Sequence, residues 1–161
     1  MKAASGYRFR LRTFHVAEPI LGTGPRLTQA AEVAVKVRAI IEGDSLDMNR
    51  EHFFVLALNA RGDVNGYKVI SSGTLSATVV HPREVFRTAI ALDAVHLIIA
   101  HNHPSGDADP SPEDMTITET LQEAGALMGI PVIDHVIVAK AASGWTFRSI
   151  GGGPVKPRKC G

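Results

Sequence analysis

Two histidines separated by a single residue form, together with a carboxylate farther along the chain, a set of side chains that could hold a metal ion. His101 and His103 follow an apolar run, residues 95–100, that predicts a buried strand. Alternate residues of a strand point to the same side, so both imidazoles can face one ion. Asp114 lies eleven residues after His103. Two histidines and one carboxylate leave a fourth tetrahedral position open for water, which is typical of catalytic rather than structural zinc.

The segment between the histidines and the aspartate predicts a loop followed by a helix start. Residues 104–106, Pro-Ser-Gly, interrupt regular structure. Residues 111–114, Ser-Pro-Glu-Asp, fit a helix N-terminus with serine at the N-cap, proline at N1 and an acid at N3. This capping pattern needs no metal and, taken alone, has a purely structural explanation. The metal-site prediction therefore depends on the combination of strand, histidine pair, loop, Ser111 and Asp114.

Predicted helices and strands alternate along the rest of the chain. Caps and apolar periodicity predict helices over residues 28–42, 82–92 and 112–128. Runs rich in β-branched and aromatic residues predict strands over 52–58, 67–71, 75–80, 95–100, 131–139 and 145–147, with the two histidines in the loop after 95–100. We predict one domain over 28–150, preceded by an N-terminal arm or extra strand over 1–27 and followed by a flexible basic tail over 151–161.

Composition and charge exclude several classes of protein. The 161 residues are 45% hydrophobic and 20% charged, which suits one globular domain. A formal net charge of +1 gives no strong bulk attraction to nucleic acid or anionic membranes. Cys160 is the only cysteine, which excludes an internal disulfide and a cysteine-rich zinc site. Because neither a secretory signal nor an apolar run of about 20 residues is found, we expect a cytoplasmic protein without a membrane span.

The metal motif also carries a resemblance to a known family. His101-x-His103 followed by Ser111 and Asp114 resembles the signature of the JAMM, or MPN-plus, zinc metalloproteases. The string from His101 to Gly106, HNHPSG, is similar to the RadC-like branch of that family. The resemblance covers roughly residues 45–140 and includes Asn49-Arg50-Glu51-His52-Phe53, Ser72-Gly73-Thr74, His81-Pro82-Arg83-Glu84 and Asp134-His135. Longer RadC-like proteins carry an N-terminal helix-hairpin-helix region, and we expect this chain to be a short form without it.

The resemblance implies a fold, a cofactor and a reaction. The fold is a single MPN domain of the α/β, cytidine-deaminase-like type, with a mixed, curved sheet flanked by helices. Zn²⁺ would be bound by His101, His103 and Asp114. Glu51 stands at the position of the family's catalytic glutamate and would act as general base on a zinc-activated water. Ser111 would donate a hydrogen bond to the oxyanion or steady the water. The expected protein is a zinc-dependent hydrolase that cleaves a peptide or isopeptide bond in a peptide or protein substrate.

Several residues also have simpler explanations. Without the resemblance, Glu51 would be interpreted as a solvent-exposed charged residue that precedes a strand. His135 fits a hydrogen-bonded core histidine, with a supporting position beneath the zinc site as the functional alternative. His81 fits a helix cap. Among other zinc enzymes, nucleobase deaminases are excluded because the chain lacks their P-C-x-x-C pattern.

The alternative function is an accessory protein in DNA repair or recombination that acts through DNA or protein binding. RadC-like proteins have been labelled DNA repair proteins, and basic segments at 2–12 and 156–159 give limited support. No aromatic-basic stripe or helix-hairpin-helix pattern is visible in the sequence. A pure scaffold has no chemical need for a complete set of five site residues, so the sequence favours hydrolysis over DNA binding. The physiological substrate and the oligomeric state stay open.

Overall fold

The chain folds as a mixed sheet with helices in the computed structural model, which describes residues 27, 29–73 and 80–151. In chain order the elements are α1 (Ala30–Gly43), β1 (Glu51–Leu58), β2 (Val64–Gly73), α2 (Pro82–Ala91), β3 (His96–His103), α3 (Pro112–Met128), β4 (Val132–Ala141) and β5 (Gly144–Ser149). The sheet order is β2-β1-β3-β4-β5. β3 and β4 run parallel, and the other neighbouring strands are antiparallel. The predicted α/β fold with a mixed sheet flanked by helices is confirmed.

Helices cover both faces of the sheet, and β1 shows the consequence for the sequence. Alternate residues of a strand point to opposite faces. Phe54, Leu56 and Leu58 pack with α1, whereas Phe53 and Val55 pack with α2 and α3. Every residue of β1 after the first is buried. A strand covered on both faces has no solvent side, and this is why its sequence is a continuous apolar run rather than an alternating pattern.

β3, α3 and β4 form a parallel β-α-β unit that determines where the site lies. β3 ends at His103, and α3 begins at Pro112. The C-terminal end of a parallel strand and the N-terminus of the helix that follows it meet at the same edge of the sheet. Asp114, in the first turn of α3, is therefore brought back to the two histidines.

Several predicted boundaries differ from the structure; for example, β2 covers Val64–Gly73 instead of residues 67–71. The predicted histidine loop is wrong, because β3 continues through both histidines and pairs with β4 as far as His103↔Ala139. The apolar run ends at Ala100, but β4 offers main-chain partners beyond it. Helix α1 begins at Ala30 with Gln29 as its N-cap and a capping box to Glu32, instead of starting at residue 28.

Three predictions fall mainly on residues that are not described. The strand predicted over 75–80 lies outside the described residues except for Val80. The same holds for the N-terminal arm over 1–27, except for Leu27, and for the basic tail over 151–161, except for Gly151. None of the helices that the structure describes has the length and apolar character needed to cross a membrane.

Candidate metal centre

Three ligand atoms come within reach of one metal ion at the end of β3. Nε2 of His101 lies 2.9 Å from Nε2 of His103. Oδ1 of Asp114 lies 3.1 Å from His101 Nε2, and Oδ2 lies 3.3 Å from His103 Nε2. Zinc bonds of about 2.0–2.1 Å at tetrahedral angles place neighbouring ligand atoms about 3.3 Å apart. The predicted convergence of these three side chains is confirmed, and small adjustments would fit them around an ion.

A chain of hydrogen bonds behind His101 determines which of its nitrogens faces the ion. The Thr118 hydroxyl donates to the main-chain carbonyl of Asp114 at 2.6 Å. Its oxygen therefore accepts the Nδ1–H of His135, also at 2.6 Å. Nε2 of His135 then accepts the Nδ1–H of His101 at 2.8 Å. Because the carbonyl at the end of the chain can only accept, the direction of every bond is set, and His101 Nε2 keeps a lone pair for a metal.

His103 is oriented by the loop that follows it. Its Nδ1–H donates to the main-chain carbonyl of Asp107 at 2.8 Å, which leaves its Nε2 with a lone pair as well. The loop turns at Gly106, whose φ of +85° lies in the left-handed region that glycine adopts most readily. A Cβ at this position would lie 3.3 Å from the carbonyl oxygen of Lys140. The Pro-Ser-Gly segment therefore does more than end the strand, since it turns the chain so that the Asp107 carbonyl, the acceptor that orients His103, lies beside this ligand.

Asp114 is held in place by the helix start that the sequence predicts. The Ser111 hydroxyl oxygen accepts the Asp114 N–H at 3.1 Å and donates its own proton to Oδ2 at 2.7 Å. The main-chain N–H of Ser111 also donates to Oδ2, at 2.8 Å. The predicted capping pattern is confirmed. The positive end of the helix dipole adds to the stabilisation of this carboxylate, so one cap both starts α3 and presents Asp114 to the histidines.

With both imidazoles in these tautomers, three electron-pair donors converge with no hydrogen between them. Two nitrogen lone pairs and a carboxylate repel one another unless a cation lies among them. His101 is fully buried and Asp114 is 3% exposed, so solvent cannot relieve the repulsion. Two imidazoles and one carboxylate are also a donor set that suits zinc and related transition metals. The residues present therefore fit a divalent metal ion.

The pKa values of these groups reflect their contact. When a proton instead of a metal ion lies on His103 Nε2, its hydrogen bond to Asp114 raises the pKa of the His103 imidazole, although burial opposes this. Burial acts to raise the pKa of the Asp114 carboxyl, but hydrogen bonds with His101 and His103, which form when a proton instead of a metal ion lies between the ligand atoms, outweigh burial and hold that pKa well below its usual range. Burial lowers the pKa of His135 far below its usual value. Asp114 is thus ionised and His135 neutral at physiological pH, as the hydrogen-bond chain requires.

Glu51 lies beside this centre, at the start of β1. Phe53 pairs with His101 in antiparallel register, and continuing that register by two residues places Glu51 level with His103. The hydrogen bond that protonated His103 donates to Asp114 contributes most to the raised pKa of His103, and the charge of Glu51 also contributes. Glu51, His103, Ser111 and Asp114 line a common cleft of about 630 Å³. The five residues predicted from the sequence are therefore brought together in one place.

The inner wall of the site is aromatic and buried. The Phe53 ring stacks on His101, with centroids 6.2 Å apart and planes 12° apart. It also meets His135 edge-on at 5.8 Å. Phe53, His101 and His135 are all fully buried. Low local polarity strengthens the hydrogen bonds that align the ligands.

Polar residues that the sequence pattern did not indicate also support the site. Thr118 lies one helical turn after Asp114, and that i, i+4 spacing is the signal that could have revealed it. Asn102 lies between the two histidines on a strand buried on both faces, where a polar side chain needs a partner.

Two histidines that the sequence analysis considered have the positions expected for them. His135 is a hydrogen-bonded core histidine beneath His101, which is the supporting position considered for it. His81 caps α2 by accepting the Arg83 N–H at 3.1 Å, as predicted.

Comparison with known proteins identifies the family. A profile described as "RadC-like JAB domain" matches residues 30–150. The chain belongs to this family. The RadC-like identity expected from the string between His101 and Gly106 is therefore confirmed.

Comparison with two curated RadC-like relatives shows how much of their length this chain covers. A UPF0758 protein from Desulforamulus reducens is 45% identical over 125 residues, which are 73% of this chain and 55% of that protein. A UPF0758 protein from Symbiobacterium thermophilum is 51% identical over 102 residues, 63% of this chain and 43% of that protein. The chain thus spans about half the length of the curated relatives it matches.

Proposed function

We propose that this RadC-like JAB domain is a zinc-dependent hydrolase that cleaves a peptide or isopeptide bond in a protein or peptide substrate. The observation that carries the proposal is the arrangement of His101, His103 and Asp114, whose ligand atoms converge beside a cleft that also contains Glu51. A catalytic zinc site needs three protein ligands, an open position and a base within reach. These requirements match the donor set, the cleft and the glutamate.

Bound zinc would act as a Lewis acid and lower the pKa of a water molecule toward about 7. The side chains of this protein supply the other functions. Glu51 takes a proton from the attacking water and transfers it to the leaving nitrogen. The water oxygen bonds to the carbonyl carbon, the carbon–nitrogen bond breaks, and an acid and an amine are released. Ser111 turns its hydroxyl from Asp114 toward the oxygen on which negative charge develops.

A metal analysis combined with a cleavage screen tests this proposal. Protein purified without chelator should contain about one zinc per chain, and elemental analysis separates zinc from iron(II), which also binds two histidines and a carboxylate. The zinc-loaded protein is then incubated with internally quenched peptides and with peptides joined through a lysine side chain. We expect hydrolysis of at least one of these probes and its loss after zinc removal. A zinc-loaded protein that cleaves none of them would refute the proposal.

The Glu51→Gln substitution tests the role of Glu51 as a base without removing a metal ligand. The amide has nearly the same size as the carboxylate, so zinc binding should be retained while turnover falls by about 10²- to 10⁴-fold. Glu113→Gln is the matched control, because Glu113 lines the same cleft and carries the same charge. We expect its turnover to stay within about twofold of the unmodified protein, as for a surface substitution. Near-normal turnover of the zinc-loaded Glu51→Gln protein would remove Glu51 from the mechanism.

A further inference from the structure

Asn102 lies between the two histidines on β3 but serves a different part of the molecule. Successive residues of a strand point to opposite faces, and the Asn102 side chain reaches the beginning of β1 instead of the metal centre. Its Oδ1 accepts the main-chain N–H of His52 at 2.8 Å. Its Nδ2 donates to the main-chain carbonyl of Arg50 at 2.9 Å. The side chain is fully buried, so these two bonds satisfy groups that water does not reach.

The two main-chain groups that Asn102 binds lie on either side of Glu51. The carbonyl of Arg50 belongs to the peptide unit before Glu51, and the N–H of His52 belongs to the unit after it. Each peptide unit is planar, so the angle between these two units is determined by φ and ψ of Glu51 alone. One side-chain amide therefore holds both backbone angles of Glu51 and, with them, the direction of its Cα–Cβ bond.

Main-chain pairing with β3 does not extend to this point of β1. The register between β1 and β3 ends at Phe53↔His101, two residues after Glu51. On the other side, Glu51 pairs with Gly73, the last residue of β2. The Asn102 amide thus replaces the main-chain ladder and connects the backbone around Glu51 directly to the strand that bears His101 and His103.

We infer that Asn102 is a positioning residue for Glu51, an inference that rests on the function proposed above. The amide keeps the base at a constant distance from the ligand strand. The position requires an acceptor for an N–H and a donor for a carbonyl, and an amide provides both at this length. Aspartate keeps the acceptor but loses the donor, and alanine loses both. A displacement of about 1 Å at a reacting group can cost on the order of 100-fold in rate.

The test uses the whole 161-residue chain, loaded with zinc, with Asn102→Ala and Asn102→Asp. Asn65→Ala is the matched control, because Asn65 also bridges main-chain groups, donating to the carbonyls of Leu92 and Asp93 at 3.0 and 3.1 Å. It lies next to Val64, which pairs with Leu58 at the far end of β1. The measurements are zinc content, kcat and KM on the peptide probe found in the screen, and hydrogen exchange of the His52 amide.

We expect Asn102→Ala to keep its zinc and to lose roughly 10- to 100-fold in kcat, with KM changed by less than about threefold. The His52 amide should exchange at least about fivefold faster, since it has lost its acceptor. Asn102→Asp retains that acceptor, so it should protect the amide better than alanine while still lowering kcat. It also serves as the folded variant if the alanine protein does not fold. Asn65→Ala should change neither kcat nor the exchange of His52.

A double-substitution cycle distinguishes positioning of Glu51 from a general structural effect. In a Glu51→Gln background there is no base left to misplace, so Asn102→Ala should change the residual rate by less than about twofold. An undiminished loss in that background, or a normal kcat in a zinc-loaded Asn102 variant, would overturn the inference while leaving the hydrolase proposal intact. An unmodified zinc-loaded protein that cleaves no probe would overturn the proposed function, and the positioning role would fall with it. The His52 exchange rates would then report only a structural link.

Discussion

The two ends of the β1–β3 strand pair are built from different kinds of residue. At one end Leu58 pairs with His96, and Leu58 is buried with Val64 and other apolar side chains. At the other end Phe53 pairs with His101, and a buried polar chain begins. Burying apolar side chains contributes about 1.5–3 kcal/mol each to folding. Burying polar groups contributes little net stability even when each finds a partner.

The polar end is nevertheless complete. Among the residues that the structure describes, every buried side-chain nitrogen or oxygen has a polar partner at hydrogen-bond distance, and the metal-facing ligand atoms are one another's partners. A network of this kind specifies positions rather than adding stability. The comparison teaches that the apolar end holds the sheet together and the polar end directs ligands, so substitutions at the two ends should affect different measurements.

The largest expected effect is the loss of zinc at the polar end. His103→Ala removes one of three ligands, and its zinc content should fall from about one per chain to nearly none after dialysis. His96→Ala is the matched control, because His96 lies on the same strand at the opposite end. Elemental analysis of both variants checks the prediction. Zinc retained in His103→Ala, or lost in His96→Ala, would contradict the division between the two ends.

At the apolar end, a core substitution should lower stability without affecting the metal. Leu58 is fully buried, and Leu58→Ala should lower the free energy of unfolding by about 2–5 kcal/mol, through lost burial and the cavity left behind. Denaturant unfolding of the metal-free protein gives this value, and elemental analysis gives the zinc content. The comparison would fail if Leu58→Ala bound less zinc than the unmodified protein at a temperature where both are folded.

A smaller effect on zinc binding is expected for the residues that form the hydrogen-bond chain behind His101. His135→Leu removes the acceptor for the Nδ1–H of His101, and zinc affinity should fall by about 10- to 100-fold, as is usual when a supporting partner of a metal ligand is removed. Thr118→Val, one bond farther from the ion, should have a weaker effect in the same direction. Competition with a chromophoric chelator measures both. Equal affinities for His135→Leu and the unmodified protein would show that the hydrogen-bond chain does not direct His101.

The smallest effect concerns pH. In the metal-free protein the pKa of His103 is raised on folding, so its contribution to stability is complete below the unfolded value of about 6.5 and is lost as pH rises through the folded pKa. Zinc binds the deprotonated imidazole, so the stabilisation of the folded protein by zinc grows as pH rises through the pKa of His103. Asp114, with its lowered pKa, stays ionised throughout.

Thermal unfolding from about pH 6 to about pH 8 checks this, since His titrates in that interval. The difference in Tm between zinc-loaded and metal-free protein should widen as pH rises. The Tm of the metal-free His103→Ala protein, which lacks the titrating group, should depend less on pH than the Tm of the unmodified metal-free protein. A gap that narrows with pH would contradict the assignment of His103 as a zinc ligand.

Much of this protein is determined by its sequence, because the interactions concerned are local. Residues two apart on a strand share a face, so His101 and His103 had to point the same way once β3 formed. The serine, proline and aspartate of residues 111–114 start a helix through bonds within four residues. The continuous apolar run at residues 95–100 predicted a buried strand, and most of it forms the first part of β3. The set of metal ligands could therefore be predicted without coordinates, and the fold class was implied by the resemblance to the RadC-like family.

Only the tertiary structure decided how these groups are aligned. His135 meets His101 across 34 residues of chain, and Asn102 meets the backbone around Glu51 across 50. Such partners depend on sheet register, and a shift of one residue would turn each side chain to the opposite face. The extension of β3 through His103 likewise depends on β4, which lies far along the sequence. The local sequence pattern predicts which residues are ligands, but hydrogen bonds between residues far apart in the chain determine which atoms of those ligands face the ion.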